Sequence, residues 1–336
     1  MHIIQNRRGF LAGAAAAGAA SLFGSPKQAF AEAPPETTAV RLPAFPKIAD
    51  CMTPIYISQD LLRAEGFADI TLVTKGTGPD SSDWIEHGEV DFDWNYPPAH
   101  IRSIAKGVPI TVLSGLHVGC LELIANDRVR TIPDLRGKRA GVDDVNGNTY
   151  LLLMMIAAYV GLDPANDIEW ITTPDPVEAF AEGKIDAFLG TAPVPQIMRE
   201  RNLGHVILKT SVDRPWAHYY CCMLAGTNEF VQRYPVAAKR VLRALLKAVD
   251  FCLSDPAAAA KAVVANGLGS RDDYIRQAFG AEVLYDKWRE YDPEDSIRFY
   301  ALRLQETGMI TSDPQTIIAN GTDWRFLDEL KQELKT

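Results

Sequence analysis

Leu135-Arg136-Gly137-Lys138-Arg139-Ala140-Gly141-Val142 marks the point where the chain begins a strand–helix alternation for the second time. Ala140 to Val142 reads as a strand, Asn148 to Val160 as a helix and Ile168 to Ile171 as a strand. Helix Pro176 to Ala181, strand Ile185 to Leu189 and helix Pro193 to Arg201 follow. The same grammar precedes this point. Thr53-Pro54 opens an amphipathic stretch to Arg63, with Thr as N-cap, Pro at the first helical position and Gly66 at its end. Ile70 to Thr74 reads as a strand, and Gly76-Thr77-Gly78-Pro79-Asp80 as a turn into a short helix. Strand Val90 to Trp94, helix Pro97 to Lys106 and strand Ile110 to Ser114 complete the first run. Short connections between alternating elements imply parallel sheets covered on both faces, and two runs imply two sheets.

After Cys222 the pattern is almost wholly helical: Pro235 to Ser254, Pro256 to Asn266, Arg271 to Phe279, Pro293 to Thr307 and Trp324 to Lys335. These helices must pack on sheets already made. The expected organisation is a first lobe begun over residues 32–125, a second lobe over 126–217, and a return to the first lobe over 218–336. The fold class is α/β, with two hinged lobes that each carry a mostly parallel sheet.

The N-terminus reads as an export signal. Asn6-Arg7-Arg8-Gly9-Phe10-Leu11 places paired arginines before an uncharged run to Gly24, and Ala29-Phe30-Ala31 offers a small-x-small cleavage pattern. Arg-Arg-x-Phe-Leu favours the twin-arginine route over ordinary secretion or a retained anchor. The chain would then start near Glu32 and work in the periplasm. Loss of Arg7, Arg8 and Lys27 makes it more acidic than the net −9 of the full sequence. That balance argues against nucleic acid and anionic membrane surfaces, which select clustered Lys and Arg.

Gly88-Glu89-Val90-Asp91-Phe92, Pro97-Pro98-Ala99 and Gly107-Val108-Pro109-Ile110 resemble the first lobe of solute-binding proteins of ABC importers. The subgroup handles sulfonates, taurine, nitrate and thiamine-pyrimidine precursors. Ile132-Pro133-Asp134-Leu135-Arg136-Gly137-Lys138-Arg139 is similar to that family's entry into the second lobe; Gly161-Leu162-Asp163-Pro164 and Gly183-Lys184-Ile185-Asp186-Ala187 resemble segments within it. Tyr234-Pro235, a long helix and Asp255-Pro256 resemble its return. The resemblance implies a periplasmic-binding-protein type II fold, closure over one ligand at a hinge, delivery to an inner-membrane ABC permease, and no cofactor. The expected protein is a monomer.

In open α/β sheets, ligands sit beyond the carboxyl ends of strands, against helix N-termini. Five segments fit: Cys51-Met52-Thr53; Gly76 to Asp80 with Gly78 at its centre; Asn95-Tyr96-Pro97; Asn146-Gly147-Asn148-Thr149; and Gly190-Thr191-Ala192. Taken alone, Thr53 reads as a helix cap and Gly76 to Asp80 as a plain turn. In the resembling family the helix that begins at Asn148 grips the ligand's polar head, so Asn146, Asn148 and Thr149 are the leading polar contacts. Tyr96, Trp216 and Tyr219 are candidates for an aromatic wall, and Arg214 for a charge partner. His117 reads either as a ligand hydrogen-bond partner or as a structural histidine.

Catalytic patterns are poor. The six histidines show no zinc-protease spacing, and there is no nucleophile elbow or phosphate-cradling loop. Asp91 and Asp93 share a strand face and read either as an acid–base pair or as separately bonded groups. The five cysteines, Cys51, Cys120, Cys221, Cys222 and Cys252, have neither zinc-site nor redox-pair spacing and read as buried structural thiols, with no metal site. Adjacent residues of a strand point to opposite faces, which separates Cys221 from Cys222. Pyrimidine synthases and chorismate dehydratases resemble the family in architecture, but Cys221-Cys222 lacks the fuller cysteine-rich iron-binding segment of the synthases. The expected function is therefore capture of a small organic ligand, anionic or aromatic and heterocyclic, with nitrate fitting least. A ligand-sensing accessory is the other alternative.

Overall fold

The computed structural model describes residues 32–45, 49–75, 80–145 and 147–335. The signal expected over 1–31, Gly76 to Pro79 (Gly78 included) and Asn146 lie outside the described residues.

The strands are β1 (Ala39–Pro43), β2 (Asp69–Val73), β3 (Phe92–Asn95), β4 (Ile110–Gly119), β5 (Leu121–Ala125), β6 (Lys138–Val142), β7 (Ile168–Thr172), β8 (Ala187–Thr191), β9 (His205–Lys209), β10 (Tyr220–Thr227) and β11 (Val283–Leu284). β1 and β2 pair in parallel. The Asp91 N–H donates to the Arg41 carbonyl at 2.9 Å and ties this pair to the approach to β3. The first main sheet runs β11-β4-β10-β3 and is antiparallel throughout. The second runs β7-β6-β8-β5-β9, parallel across β7-β6-β8 and antiparallel across β8-β5-β9.

The protein is thus two-lobed α/β, with more antiparallel pairing than the alternation implies. The reason is topological. Returning strand β10 inserts between β3 and β4, and β5 enters the second sheet against β8. The sequence shows neither strand strongly, because their runs are short of β-branched residues. The chain leaves the first sheet at Gly119–Cys120, ahead of the 125/126 boundary expected above, and re-enters it through the turn Trp216–His218.

Helix ends follow local chemistry. Five helices begin at an Asp-Pro step, after Asp163, Asp175, Asp255, Asp292 and Asp313. In each, the Asp carboxylate accepts a backbone N–H of the first turn, and the proline occupies a position that needs no donor. Thr53 to Arg63, expected as one helix, is two: Thr53–Ile57 and Gln59–Ala64. Helix Asn148–Tyr159 is buried continuously from Leu151 to Ala157, as an all-apolar helix must be. Helix Pro235–Ser254 is amphipathic and buries the face carrying Ala237, Val241, Leu245, Ala248 and Cys252. Among the described residues, no helix is long and apolar enough to cross a membrane.

The crossing at Cys120 has the backbone of a hinge. Gly119 and Cys120 have φ of 86° and 78°. Such values are unusual for a residue with a side chain, and non-glycine cases gather at functional positions. A Cβ on Gly119 would lie 2.1 Å from the Glu282 carbonyl oxygen. That carbonyl accepts the Cys120 N–H at 2.6 Å.

Candidate functional site

The two sheets meet where strand ends and helix starts converge. The Asp50 N–H donates to the Ala192 carbonyl at 3.2 Å, joining the 3-10 turn Asp50–Met52 to the end of β8. Asn148 Nδ2 donates to Asn95 Oδ1 at 2.8 Å, joining a second-lobe helix start to the end of β3. Gln196 Nε2 donates to Glu282 Oε2 at 2.9 Å behind the hinge. The lobes are closed on each other.

Inside the closure is a small cavity lined by Ala49, Cys51, Met52, Trp94, Asn95, Tyr96, Thr191 and Cys222. It leaves ≈ 10 Å³ for the centre of a water-sized sphere, room for about one water or ion. Outside the Asn95–Asn148 pair a groove of ≈ 650 Å³ runs between the lobes. Its walls carry Asp80, Asp83, Glu86, Asp143 and Asp144 against Lys75, Arg102 and Lys106, so it is acidic on balance. Asn148 lines the groove and Asn95 lines the inner cavity, so their hydrogen bond stands between the two.

Asn95 is held from several sides. Its Nδ2 donates to Asp80 Oδ1, Ser82 Oγ and Asp93 Oδ2, each at 3.2 Å, and its Oδ1 also accepts the Tyr96 N–H at 2.8 Å. Asn148 Oδ1 is buried with no partner, and so are Trp94 Nε1 and both ring nitrogens of His117. Buried polar atoms are nearly always paired, so this concentration around one cleft marks a place built to receive something.

Asp91 and Asp93 do not act together. Asp91 is paired with Arg41 at 2.6 Å. Asp93 is fully buried, accepts from Ser81 and Asn95, and lies 3.7 Å from His100 Nδ1. Burial, with the Asp80 charge nearby, pushes the Asp93 pKa up to about 7, against the hydrogen bonds from Ser81 and Asn95. Burial lowers that of His100 to about 4. Burial thus disfavours the charged form of each group.

All five cysteines are buried, as expected, but the separation of Cys221 from Cys222 requires a correction. Four of the five converge on the hinge. The donor atoms of Cys51, His117, Cys120 and Cys222 all lie within 4.8 Å of one another, and all four residues are buried. Cys221 Sγ is 3.0 Å from Cys120 Sγ. Only Cys252 stays apart, in the face of helix Pro235–Ser254. Alternation fails to separate Cys221 from Cys222 because β10 is bulged there: Tyr220 pairs with Val118, Cys222 with His117 and Met223 with Gly115. Burial raises the pKa of Cys221 and Cys222; hydrogen bonding to Cys120 and Cys222, with burial, raises that of Cys51. At Cys120 burial also opposes ionisation. Hydrogen bonds from Cys221, Cys222 and Cys51, with His117 close by, outweigh it and hold this thiol below its ordinary range. No spacing rule reveals the cluster, since its members come from residues 51 to 222 and meet only through topology.

The other expected positions divide. Cys51, Met52, Asn95, Tyr96, Thr191 and Asn148 surround the cavity or its gate. Ala192 contributes its carbonyl to closure. Pro97 is buried in the first turn of helix Pro97–Ala105. Thr53 is buried as the first residue of its helix rather than the expected N-cap, a place taken by Met52, and its hydroxyl donates back to the Asp50 carbonyl instead of accepting an N–H of the first turn. Thr149 donates to Asp143 on the groove side. His117 lies within the thiol cluster, between Trp94 and Tyr285. Trp216 is 3% exposed and packs on Tyr159, Phe299 and Tyr300, and Tyr219 stacks on Phe299 at 3.9 Å. These two build the second crossing rather than a cavity wall. Arg214 is exposed beside them. Among the described residues, Trp84 lines the groove, and Trp94 and Tyr96 line the cavity, as the aromatic groups at the site.

The profile of the NMT1-like family matches residues 33–266. The chain belongs to the NMT1-like family. This NMT1-like chain is 24% identical over 228 residues to the 4-amino-5-hydroxymethyl-2-methylpyrimidine phosphate synthase THI13 of Saccharomyces cerevisiae, covering 62% of itself and 66% of that relative. The chain therefore spans about two thirds of that relative's length. Among solved structures it resembles the periplasmic nitrate-binding protein NrtA from Synechocystis, with a TM-score of 0.75, 15% identity and 90% of each chain covered. It also resembles the alkanesulfonate-binding protein SsuA from Xanthomonas axonopodis pv. citri, with a TM-score of 0.68 and 16% identity over 86% of this chain and 99% of that one. The NMT1-like chain shares their periplasmic-binding-protein fold.

Proposed function

We propose that the protein is the extracytoplasmic solute-binding component of an ABC importer. It captures a small organic molecule between its lobes, presents it unaltered to an inner-membrane permease, and reaches the periplasm by the twin-arginine route. The observation that carries this reading is the unpaired, buried Asn148 Oδ1 at the gate between two lobes already in contact. A solute that donates to that oxygen and also touches the first-lobe wall at Trp84 makes both contacts only when the lobes are shut, which is how a ligand drives closure. The acidic walls of the groove narrow the solute class. They disfavour sulfonate and nitrate and favour a neutral or cationic heterocycle with ring N–H or amino donors, stacked on Trp84.

A thermal-shift screen of the full chain against aminopyrimidines, aromatic carboxylates, alkanesulfonates and nitrate tests this. A ligand at 100 times its dissociation constant stabilises by about 2.7 kcal/mol. We expect such a shift from a heterocyclic amine, with affinity about tenfold weaker in Asn148→Ala, the loss of about one hydrogen bond. No shift from any class, or equal affinity in the variant, contradicts the reading. The clustered thiols favour a second reading, an enzyme on the same fold, in which the bound molecule leaves changed.

A further inference from the structure

We propose that Cys51, Cys120, Cys222 and His117 form a binding site for one thiophilic closed-shell cation, Zn(II) or Cu(I), at the base of the cleft. Three sulfurs and one imidazole nitrogen within 4.8 Å of one another form a four-donor set. Soft thiolate and imidazole ligands of this kind select such ions. Metal–sulfur bonds of about 2.3 Å and a metal–nitrogen bond of about 2.0 Å put tetrahedral donors under about 4 Å apart, so the set needs to contract by about 1 Å.

Three further observations point to the same site. Both His117 ring nitrogens are fully buried without a hydrogen-bond partner, and a bound ion would give one of them the partner that packing alone does not. The cavity bounded by Cys51 and Cys222 has room for about one ion. The backbone departs from regularity to bring the donors in, through the positive φ of Cys120 and the bulge at Cys221–Cys222. Tyr96 Oη at 3.8 Å and Thr191 Oγ1 at 3.7 Å from Cys120 Sγ supply outer hydrogen bonds of the kind that orient ligands. These donors come from three separated segments and are not a contiguous cysteine-rich run. As each metal–sulfur bond forms, the thiol proton leaves to solvent; His117 binds as neutral imidazole, and no electrons move. The site ties the first sheet to its hinge residue, so an ion there would hold the Cys120 crossing in place.

The full chain, reduced and desalted without oxygen, is titrated with Zn(II), Cu(I) and the spectroscopic probe Co(II), the first two in competition with a chromophoric chelator. The expected result is one ion per chain, with Co(II) giving thiolate charge transfer and the intense visible bands of a tetrahedral ion. Cys51→Ser and Cys222→Ser, checked for cooperative melting, each weaken binding by about 100-fold or more, while Cys252→Ala leaves it unchanged. Binding in either the Zn(II) or the Cu(I) arm with this variant pattern supports the site. Failure of both arms overturns it. So does retained binding in Cys51→Ser and Cys222→Ser, or a Cys120–Cys221 disulfide whose reduction restores no metal uptake. Solute capture is tested by Asn148→Ala, so either reading can fail alone.

Discussion

Gly119 is the residue on which the hinge is most exposed to change. Adding a methyl group places it 2.1 Å from the Glu282 carbonyl, at a φ of 86°. Gly119→Ala is expected to destabilise the fold by about 2 kcal/mol or more, read from the midpoint of denaturant unfolding. Asp93 and His100 make a pH prediction with two opposite signs. Folding raises the Asp93 pKa from 3.8 to about 7, so its contribution is full below pH 3.8 and is lost as pH rises toward 7. Folding lowers that of His100 from 6.5 to about 4, so its contribution is lost as pH falls through that window. The two slopes oppose each other in the native protein, with Asp80 bearing on both. Asp93→Asn is expected to leave stability falling as pH drops from 6.5 to 4. His100→Gln is expected to leave it falling as pH rises from 4 to 7. Melting temperatures across that range check both. The positions of Asn95 and Asn148 beside the cleft were legible because strand ends and helix starts announce themselves through Asn and Gly. Trp216 and Tyr219 misled, because a proline-broken aromatic segment looks the same whether it walls a cavity or plugs a hinge. The thiol cluster was illegible for a different reason: its partners meet only through the strand order of the first sheet.

Elements were easiest to read where their ends carry their own chemistry. Helix Pro235–Ser254 matches its expected bounds because Tyr234-Pro235 starts it and Asp255-Pro256 stops it. Asp255→Ala removes the carboxylate that accepts the Ala258 N–H and is expected to cost about 1 kcal/mol by denaturant unfolding. Strands β5, β9 and β10 escaped because their direction is a tertiary matter. β10 in particular is central in its sheet, yet between Tyr220 and Thr227 it carries only Cys, Met, Leu, Ala and Gly, none of them β-branched or aromatic. Its bulge could not be foreseen either, since the register is set jointly with β4.

At the scale of the molecule, the hinge at Gly119–Cys120, the second crossing at Trp216–His218 and the contacts across the cleft describe two lobes caught shut. Sequence order alone indicated lobes that are left and revisited. It could not supply the charge of the groove, which draws on Asp80 and Glu86 from one lobe and Asp143 and Asp144 from the other. That acidity attracts cationic guests over anionic ones and weakens with salt. The account stands on capture without chemistry, and native mass spectrometry of the full chain with the best solute from the thermal screen tests it most directly. It predicts one solute per chain, recovered at its original mass after denaturation and largely absent from Asn148→Ala. A solute recovered with altered mass, or retained equally by that variant, would contradict it.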